Sequence, residues 1–391
     1  MDKCDVAIIG GGVIGSSIAY FLAADPAFKG SVVVIEKDPT YETAATPRSA
    51  GGIRQQFSTP ENIQMSAFGA QFVKSVGEHL SVDGQVAQLP FVEWGYLFLA
   101  TDGGMDVLRR NHKQQAALGA SVALLSAPEL KDRFPWIKAD DLAGGCYGLA
   151  NEGWTDPYGL LQAFRRKARA LGVTYLADEV VGVKRTGTAI EGVTLREAGS
   201  LACGAVVNAA GYHAHKTAAL AGIDLPIRPR KRIVYVFDCR DKPARAPLMI
   251  DPTGVWCRPE GANFIGGISP PEDEDPDCTD FEIDYQLYED VIWPTLAHRI
   301  PAFEALKLVR AWVGHYDYNT LDQNAILGPH PEVCNFYFAN GFSGHGLQQS
   351  PAVGRATAEH IVHGGYRSID LRRFGYERVL NNAPLLELNV V

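Results

Sequence analysis

The first 36 residues combine short apolar runs with a glycine-rich turn. Val6–Ile9 and Val32–Ile35 are continuous apolar runs, and between them Gly10-Gly11-Gly12 leads into the apolar, serine-containing segment 13–20. Apolar runs bounded by turn residues are typical of strands that are covered on both faces. The pattern predicts a strand, a glycine turn, a helix and a second strand that ends at Glu36.

The rest of the chain alternates between predicted helices and strands. Thr59-Pro60-Glu61 has the hydroxyl, proline and acid of a helix start, and an apolar stripe continues that helix to Leu80. The other predicted helices cover about 105–118, 156–172, 282–298 and 349–363, and the predicted strands cover 95–99, 173–177, 180–184, 190–195, 205–211, 232–238, 255–258, 263–268 and 336–339.

The spacing of Gly10, Gly12, Gly15 and Glu36 indicates a dinucleotide site. The three glycines form G-x-G-x-x-G, and Glu36 follows 21 residues after the last of them. Gly10 allows a tight turn, Gly12 lets a pyrophosphate approach the backbone, and Gly15 lets the helix pack closely on the sheet. An acid at the end of the second strand accepts hydrogen bonds from a ribose diol and repels a 2′-phosphate, which favours FAD or NAD over NADP.

A second interpretation of the same segment is a secretory signal or a membrane span. Residues 7–24 form an uncharged run of 18 residues. Three consecutive glycines and two serines argue against an apolar helix there, and loss of a signal would leave strand 32–36 without its partner. The dinucleotide site is therefore preferred.

Composition favours a soluble intracellular protein. The chain has 391 residues, a formal net charge of −9 and seven scattered cysteines with no C-x-x-C pair. An acidic chain is a poor partner for nucleic acid or anionic membranes, and this cysteine pattern predicts free thiols rather than disulfides or a metal site. We expect a cytoplasmic location, with no other run long enough to span a membrane.

The layout of the nucleotide-like elements resembles a known family. They appear at 4–60, 150–220 and 335–365 with a β-rich insertion between them, as in glutathione-reductase-type FAD folds. On segments 8–36, 48–57, 206–211 and 310–348, the chain resembles the D-amino-acid oxidase superfamily of FAD-dependent oxidoreductases, which includes sarcosine oxidase and glycine oxidase. Its C-terminal third is most similar to a mitochondrial branch that takes part in assembling respiratory complex I.

The resemblance implies a mixed α/β fold with two domains. One is a discontinuous Rossmann-like FAD-binding domain, and the other is a β-rich substrate domain with an antiparallel sheet. The expected bounds are 1–82, 143–225 and 315–365 for the FAD-binding domain, 83–142 and 226–314 for the substrate domain, and 366–391 for a C-terminal tail.

The resemblance also implies the residues that hold the cofactor. The ADP half would lie on the glycine turn and Glu36, the adenine would meet Val181 or its neighbour Val180, and the loop at 48–52 would approach the flavin. The helix after the distant glycine-rich loop would direct its N-terminus at the flavin. The implied set is Gly10, Gly12, Val13, Ile14, Gly15, Glu36, Lys37, Arg48, Ser49, Ala50, Gly51, Gly52, Val181, Ala210, Gly211, Gly314, Gly341, Gly344, His345, Gly346, Leu347 and Gln348.

For the substrate, the resemblance implies Arg54, Tyr316, His345 and Gln348. Arg54 matches the arginine that grips an amino-acid carboxylate in sarcosine oxidase, and a guanidinium can bind a carboxylate with two parallel hydrogen bonds. Gln348 stands in place of a carboxylate-binding lysine.

Two departures from the family concern the flavin. Gly314 stands where sarcosine oxidase carries the cysteine that binds flavin covalently, so FAD should be non-covalent. Ile265 stands where that enzyme has the lysine that activates dioxygen, which makes a quinone or an electron-transfer protein a more suitable acceptor than dioxygen.

The leading hypothesis is oxidation of a C–N bond in a small amino acid or N-alkyl amino acid (sarcosine-like, a D-amino acid or an opine), by hydride transfer to flavin N5 and hydrolysis of the imine. One alternative is 2-hydroxy-acid oxidation, with His345 or His315 as the base. Another is a FAD-stabilised binding or assembly protein with little turnover. A partner subunit, the exact substrate and the electron acceptor stay open.

Overall fold

The computed structural model describes residues 2–388, arranged in three β-sheets with helices packed around them. The strands are β1 Lys3–Ile9, β2 Val32–Glu36, β3 Gly52–Ile53, β4 Phe91–Val92, β5 Tyr96–Ala100, β6 Val122–Ser126, β7 Gly144–Gly148, β8 Gly153–Thr155, β9 Thr174–Ala177, β10 Val180–Thr186, β11 Ala189–Leu195, β12 Gly199–Asn208, β13 Ile227–Asp238, β14 Leu248–Ile250, β15 Trp256–Glu260, β16 Asn263–Gly267, β17 Lys307–Asn319, β18 Ile326–Pro329 and β19 Phe336–Asn340.

The α-helices are interspersed among these strands along the chain. They are α1 Val13–Ala24, α2 Pro60–Lys74, α3 Val76–Leu80, α4 Asp102–Ala117, α5 Ala127–Arg133, α6 Pro157–Ala170, α7 Ala214–Ala219, α8 Tyr285–Leu287, α9 Trp293–Arg299, α10 Gly346–His363 and α11 Glu377–Leu380. No helix within residues 2–388 is both long enough and apolar enough to cross a membrane.

The first sheet has a parallel core in the order β9-β2-β1-β12-β19, with antiparallel neighbours β10, β11 and β18. Ile8 lies opposite Val34 on one side and Val207 on the other. Segment 205–211 was expected to return to the sheet begun near residue 4, and β12 does so.

Helices α1 and α10 hold this sheet together, although more than 300 residues separate them. Ile18 on α1 and Val353 on α10 are fully buried in one apolar cluster. The two helices approach closely because position 354 is glycine, where a Cβ would lie 2.1 Å from Ser17 Oγ. The Ser17 hydroxyl donates to the Ser350 carbonyl at 2.8 Å. This contact brings the end of the chain to the N-terminal motif.

The second sheet has eight strands in the order β17-β13-β16-β15-β14-β5-β7-β6. All neighbours are antiparallel except the parallel pair β14 and β5. β13 and β17 pair from Ile227↔Asn319 to Asp238↔Lys307, and this long ribbon reaches the edge of the first sheet.

Some elements differ from their predicted bounds. The helix expected to continue to Leu80 breaks at Ser75, and the helix expected at 282–298 consists of α8, a π-helical turn at Tyr288–Ile292 and α9. The strand expected at 205–211 begins earlier, at Gly199, and ends at Asn208, because Gly211 starts a 3₁₀ turn. The strands that were not predicted are β3, β4, β6, β7, β8, β14, β17 and β18. Four of them, β3, β4, β8 and β14, have only two or three residues, which are too few to show a period.

The division into domains stays a prediction. Two segments that were expected in the FAD-binding part pair with strands of the second sheet. β7, at 144–148, pairs with β5 and β6, so it lies in the second sheet rather than in the FAD-binding part. β17 stays paired with β13 to Asn319, so Tyr316 also lies on the second sheet. Residues 389–391 of the expected tail lie outside the described residues.

Candidate functional site

A cavity of about 580 Å³ lies where the carboxyl ends of β1, β2 and β12 meet the long ribbon of the second sheet. Ligands of open parallel sheets bind at this edge. The predicted residues that line it are Gly10, Gly12, Val13, Ile14, Glu36, Lys37, Arg48, Ser49, Ala50, Gly52, Arg54, Val181, Ala210, Gly211, Gly314, Tyr316, Gly344, His345, Gly346, Leu347 and Gln348. Three further predicted residues do not line the cavity: Gly15, Gly51 and Gly341.

The glycine turn between β1 and α1 has the geometry that its spacing predicted. Gly10 has φ +102°, and a Cβ at Gly15 would lie 1.9 Å from the Gly10 carbonyl oxygen. At Gly12 the nearest atom to such a Cβ is Thr46 Oγ1, at 3.6 Å. Gly12 therefore faces open space at the N-terminus of α1, where backbone N–H groups favour an anion.

Glu36 lies at the end of β2 with its carboxylate in the cavity wall. It accepts hydrogen bonds from the backbone N–H groups of Gly11 (2.7 Å) and Asp38 (2.8 Å). Burial raises the pKa of Glu36, and these two hydrogen bonds act in the opposite direction. Val181, on β10, also lines the cavity, and its side chain is 40% exposed.

Two loops form the middle of the cavity. Gly211 has φ +54°, and a Cβ there would meet nothing within 4 Å, so the start of the 3₁₀ turn leaves room for a ligand. Arg48 donates to the carbonyls of Glu42 (2.7 Å) and Val313 (2.8 Å), and its guanidinium lies 4.6 Å from the centre of the Phe281 ring. Arg48 thus fixes its loop against the second sheet while it lines the cavity.

The third part of the cavity is the start of α10. Gly346, Leu347 and Gln348 form its first turn, which contains no acidic residue. Pro351 lacks an N–H that would bond the carbonyl of Leu347, and the Ser350 hydroxyl donates to that carbonyl instead, at 2.8 Å. The free N–H groups of this turn and its dipole favour negative charge in the cavity.

These features fit FAD. The open glycine positions at 12 and 211 leave room for a pyrophosphate, Glu36 stands where a ribose binds, and the cavity continues past α10 to the second sheet. No group of three or more His, Cys, Asp or Glu side chains in the part of the chain that the structure describes could hold a metal ion.

Arg54 forms the wall at the second-sheet end. Its side chain is 3% exposed, and its guanidinium lies 4.1 Å from the centre of the Phe57 ring and 5.3 Å from that of Phe98. Nη1 donates to the Gln56 carbonyl at 2.6 Å. Burial lowers the pKa of Arg54, but an arginine stays charged at any physiological pH. Aromatic rings on its flanks hold this fork in one orientation.

His345 lies against Arg54, with Nε2 3.0 Å from Nη2 of the guanidinium. Arginine only donates, so Nε2 must accept and the proton of the neutral ring is on Nδ1. Burial, and then the charge of Arg54, lower the pKa of His345 well below its ordinary value. His345 is therefore a neutral partner that orients Arg54.

Gln348 and Tyr316 complete the predicted group. Gln348 Oε1 accepts the backbone N–H of Arg54 at 2.6 Å, which ties the segment after β3 to α10 and leaves the NH₂ group of Gln348 as its side-chain donor. The ring of Tyr316 packs against Gly344, where a Cβ would lie 2.6 Å from it. The four residues predicted for the substrate therefore all line one end of the cavity.

Three other residues near this end differ in their relation to the cavity. Trp256 lines the cavity, whereas Arg258 lies behind it and donates to the Ala50 carbonyl at 2.6 Å and 3.0 Å. Ile265 is 1% exposed and packs with Val234 and Val236.

Two aspartates near the start of α10 are structural. Asp317 accepts the backbone N–H groups of Gly341 (2.8 Å) and Phe342 (3.2 Å), and Asp322 pairs with Arg378 at 2.7 Å. These partners make both aspartates structural supports of the loops before α10 rather than bases.

Sequence reasoning missed Tyr96 and Glu152. Tyr96 lines the cavity, and a Cβ added at Gly52 would lie 1.8 Å from the Tyr96 hydroxyl oxygen, so glycine at 52 leaves room for this ring. Glu152 is fully buried and accepts from the Gln55 N–H (2.6 Å) and the Gln56 side-chain amide (2.7 Å). Tyr96 looked like one more apolar strand residue, and a single acid between Asn151 and Gly153 gave no signal.

Comparison with known proteins agrees with this geometry. The family model described as "FAD dependent oxidoreductase" (DAO) matches residues 5–360. FAD-dependent oxidoreductase domain-containing protein 1 of Xenopus laevis is 47% identical over 100% of this chain and 85% of its own length. Glycine oxidase of Geobacillus kaustophilus is 28% identical over 96% of this chain and 97% of its own.

A solved structure has the same fold over nearly the whole chain. The crystal structure of L-proline dehydrogenase from P. horikoshii has a TM-score of 0.87 and 28% identity, and the match covers 98% of this chain and 100% of that one. Together with the geometry of the glycine turn, Glu36 and α10, these matches show that the chain belongs to the DAO family of FAD-dependent oxidoreductases.

Proposed function

We propose that this FAD-dependent oxidoreductase oxidises the C–N bond of a small amino acid or N-alkyl amino acid. The observation that carries the proposal is Arg54, a buried guanidinium in the cavity wall, flanked by two aromatic rings and His345. A fixed fork of this kind matches the planar geometry of a carboxylate.

The glycine turn, Glu36, the 210–211 turn and the start of α10 would hold FAD, which supplies a hydride acceptor at its N5 atom when bound. Gly314 carries no thiol, so the cofactor would be held without a covalent bond. The first turn of α10 would stabilise the negative charge that follows reduction, through its N–H groups and dipole.

Arg54 would hold the substrate carboxylate and so fix the position of the carbon that loses hydride. Holding a substrate in one orientation is worth several powers of ten in rate. His345 Nε2 and the Gln56 carbonyl restrain the guanidinium in the wall, so its orientation does not depend on the substrate.

The lining residues favour an amine with an apolar remainder. Leu248, Trp256 and Ile268 line the cavity. The acids that line it within residues 2–388 are Glu36, Asp38, Asp178, Glu179 and Asp317. The first four lie at the ADP end of the cavity, at or just after the end of β2 and between β9 and β10. Asp317 is bonded to backbone N–H groups. A neutral amine with a small apolar group suits such a wall better than a cationic side chain.

The alternative of 2-hydroxy-acid oxidation needs a base for the hydroxyl proton. His345 is unsuited, because the lone pair on Nε2 is occupied by Arg54. His315 donates from Nε2 to the Asp280 carbonyl at 2.8 Å, and its buried Nδ1 has no partner among the described residues. We therefore rank hydroxy acids second, with His315 as the base.

Anaerobic reduction of the bound flavin tests the proposal. The purified holoprotein is mixed with sarcosine, proline, D-amino acids, opines and 2-hydroxy acids, and the loss of visible flavin absorbance is followed. Reduction by one or more amino acids is expected. If only hydroxy acids reduce the flavin, the second candidate replaces the first, and if no carboxylate-bearing compound does so, the proposal is wrong.

A further inference from the structure

Glu152 does not line the cavity, but its carboxyl group is bonded to the two residues that follow Arg54. Its side chain is fully buried, between Asn151, with φ +62°, and β8. One carboxyl oxygen lies 2.0 Å from where a Cβ on Gly148 would stand, so glycine at 148 leaves room for it. A buried acid is costly unless its oxygens are hydrogen-bonded, which makes its partners informative.

Those partners are the two residues that follow Arg54. Glu152 Oε1 accepts the Gln55 backbone N–H at 2.6 Å, and Oε2 accepts the Gln56 side-chain amide at 2.7 Å. The same amide also donates to the Tyr96 carbonyl, at 3.2 Å. Gln56 is fully buried, so this network fixes its backbone.

The backbone carbonyl of Gln56 in turn accepts Nη1 of Arg54 at 2.6 Å. A chain of hydrogen bonds therefore runs from Glu152 through Gln56 to the guanidinium. When it is ionised, Glu152 also attracts the positive charge of Arg54. Burial raises the pKa of Glu152 to about 7, while the amide hydrogen bonds and the charge of Arg54 act against this.

We infer that Glu152 is a positioning residue for substrate binding. It fixes the guanidinium of Arg54 through Gln55 and Gln56 and so sets the affinity for the substrate carboxylate. It touches neither the cavity nor the cofactor site. This inference rests on the proposed function, because the role matters only where Arg54 binds a carboxylate.

The test compares Glu152→Gln with the wild type in the FAD-loaded protein. Glutamine keeps the shape but replaces one acceptor with a donor, so one of the two hydrogen bonds is lost. We expect the substrate concentration for half-maximal flavin reduction to rise about tenfold. The limiting reduction rate and the FAD dissociation constant should stay within about twofold, because Glu152 contacts neither reacting atoms nor FAD.

A double-mutant cycle separates this role from simple stabilisation. In an Arg54→Met background, Glu152→Gln should cause no further loss of substrate affinity, since the group that it positions is gone. Thr155→Val is the matched control. Thr155 lies on β8, near Glu152, is 5% exposed and donates from its hydroxyl to the Pro90 carbonyl at 2.6 Å, so this variant removes a buried hydrogen bond without changing the partners of Gln56 or Arg54. It should lower the melting temperature and leave substrate affinity unchanged.

Unchanged substrate affinity in Glu152→Gln, or an equal loss in the Arg54→Met background, would overturn the inference. If the wild-type flavin is not reduced by any amino acid, the proposed function fails separately. In that case acetate binding, followed by the perturbation of the flavin spectrum, replaces the kinetic readout. Weaker acetate binding by Glu152→Gln would still support the inference, and equal binding would overturn it.

Discussion

The two ends of the cavity are built in different ways. The ADP end is made largely from backbone, and Gly10, Gly12, Gly15 and Glu36 bring their N–H groups, open space and one acid from a single βαβ unit. The proposed substrate end is made from side chains on distant segments. Tyr96 lies on β5, Tyr316 on β17, Arg54 just after β3 and His345 just before α10. A local pattern therefore forms the cofactor end, and long-range packing forms the proposed substrate end.

The largest expected effect concerns close packing at the ADP end. Gly15→Ala would place a Cβ 1.9 Å from the Gly10 carbonyl oxygen. Glycine to alanine in a helix normally stabilises by about 1 kcal/mol, but here we expect destabilisation by about 2–3 kcal/mol and loss of FAD. Urea unfolding of the apoprotein measures the change in the free energy of unfolding.

Gly12→Ala is its matched control, because the nearest atom to the added Cβ is 3.6 Å away. The folding free energy of this variant should change by less than about 1 kcal/mol, while FAD affinity falls. Equal stability losses at both positions would contradict the division of roles between the two glycines.

This end of the site could be predicted from the sequence because its contacts are local. Glu36 lies next to Gly11 in space for the same reason that β2 lies next to β1, and both follow from one βαβ unit. At the other end, Arg54 could be placed only through the family resemblance. Glu152 meets Gln56, 96 positions earlier, through the short strands around β8, which have no recognisable period. No single-sequence pattern reports such a contact.

The next largest effect is expected at the proposed substrate end. Arg54→Met should raise the concentration of amino acid for half-maximal flavin reduction at least about 100-fold, because two charge-assisted hydrogen bonds are lost. The FAD dissociation constant should stay within about twofold, since the ADP end is untouched. Arg54→Lys keeps the charge but not the planar fork, so its half-maximal concentration should lie between those of the wild type and Arg54→Met. A variant that loses FAD along with substrate would argue that the two ends are not independent.

A smaller effect is expected from Glu36→Gln. The amide can accept only one of the hydrogen bonds from Gly11 and Asp38, and it carries no charge for a ribose diol. FAD affinity should fall about tenfold, with substrate affinity unchanged, as measured by fluorescence titration. Unaltered FAD binding would remove Glu36 from the cofactor site.

The smallest effect concerns pH and Asp317, at the junction of the two ends. Burial raises the pKa of Asp317 to about 6 from its ordinary 3.8. The folded state thus holds a proton that the unfolded state has lost, so stability falls as pH rises from about 4 to about 6 and is level above that. Asp317→Asn should flatten this slope, by about 1 kcal/mol because the side chain is only half-buried. Urea unfolding of the apoprotein at pH 4.5 and pH 7 measures it, and an unchanged slope would contradict the assignment.

The central claim is that Arg54 selects a carboxylate-bearing amine for the flavin. The most direct test is the preference for an acid over the amine that remains when its carboxylate is removed, such as proline against pyrrolidine, measured by anaerobic flavin reduction. The wild type should prefer the acid by at least about 100-fold, and Arg54→Met should lose most of that preference while it still binds FAD. An equal preference in both proteins would contradict the claim.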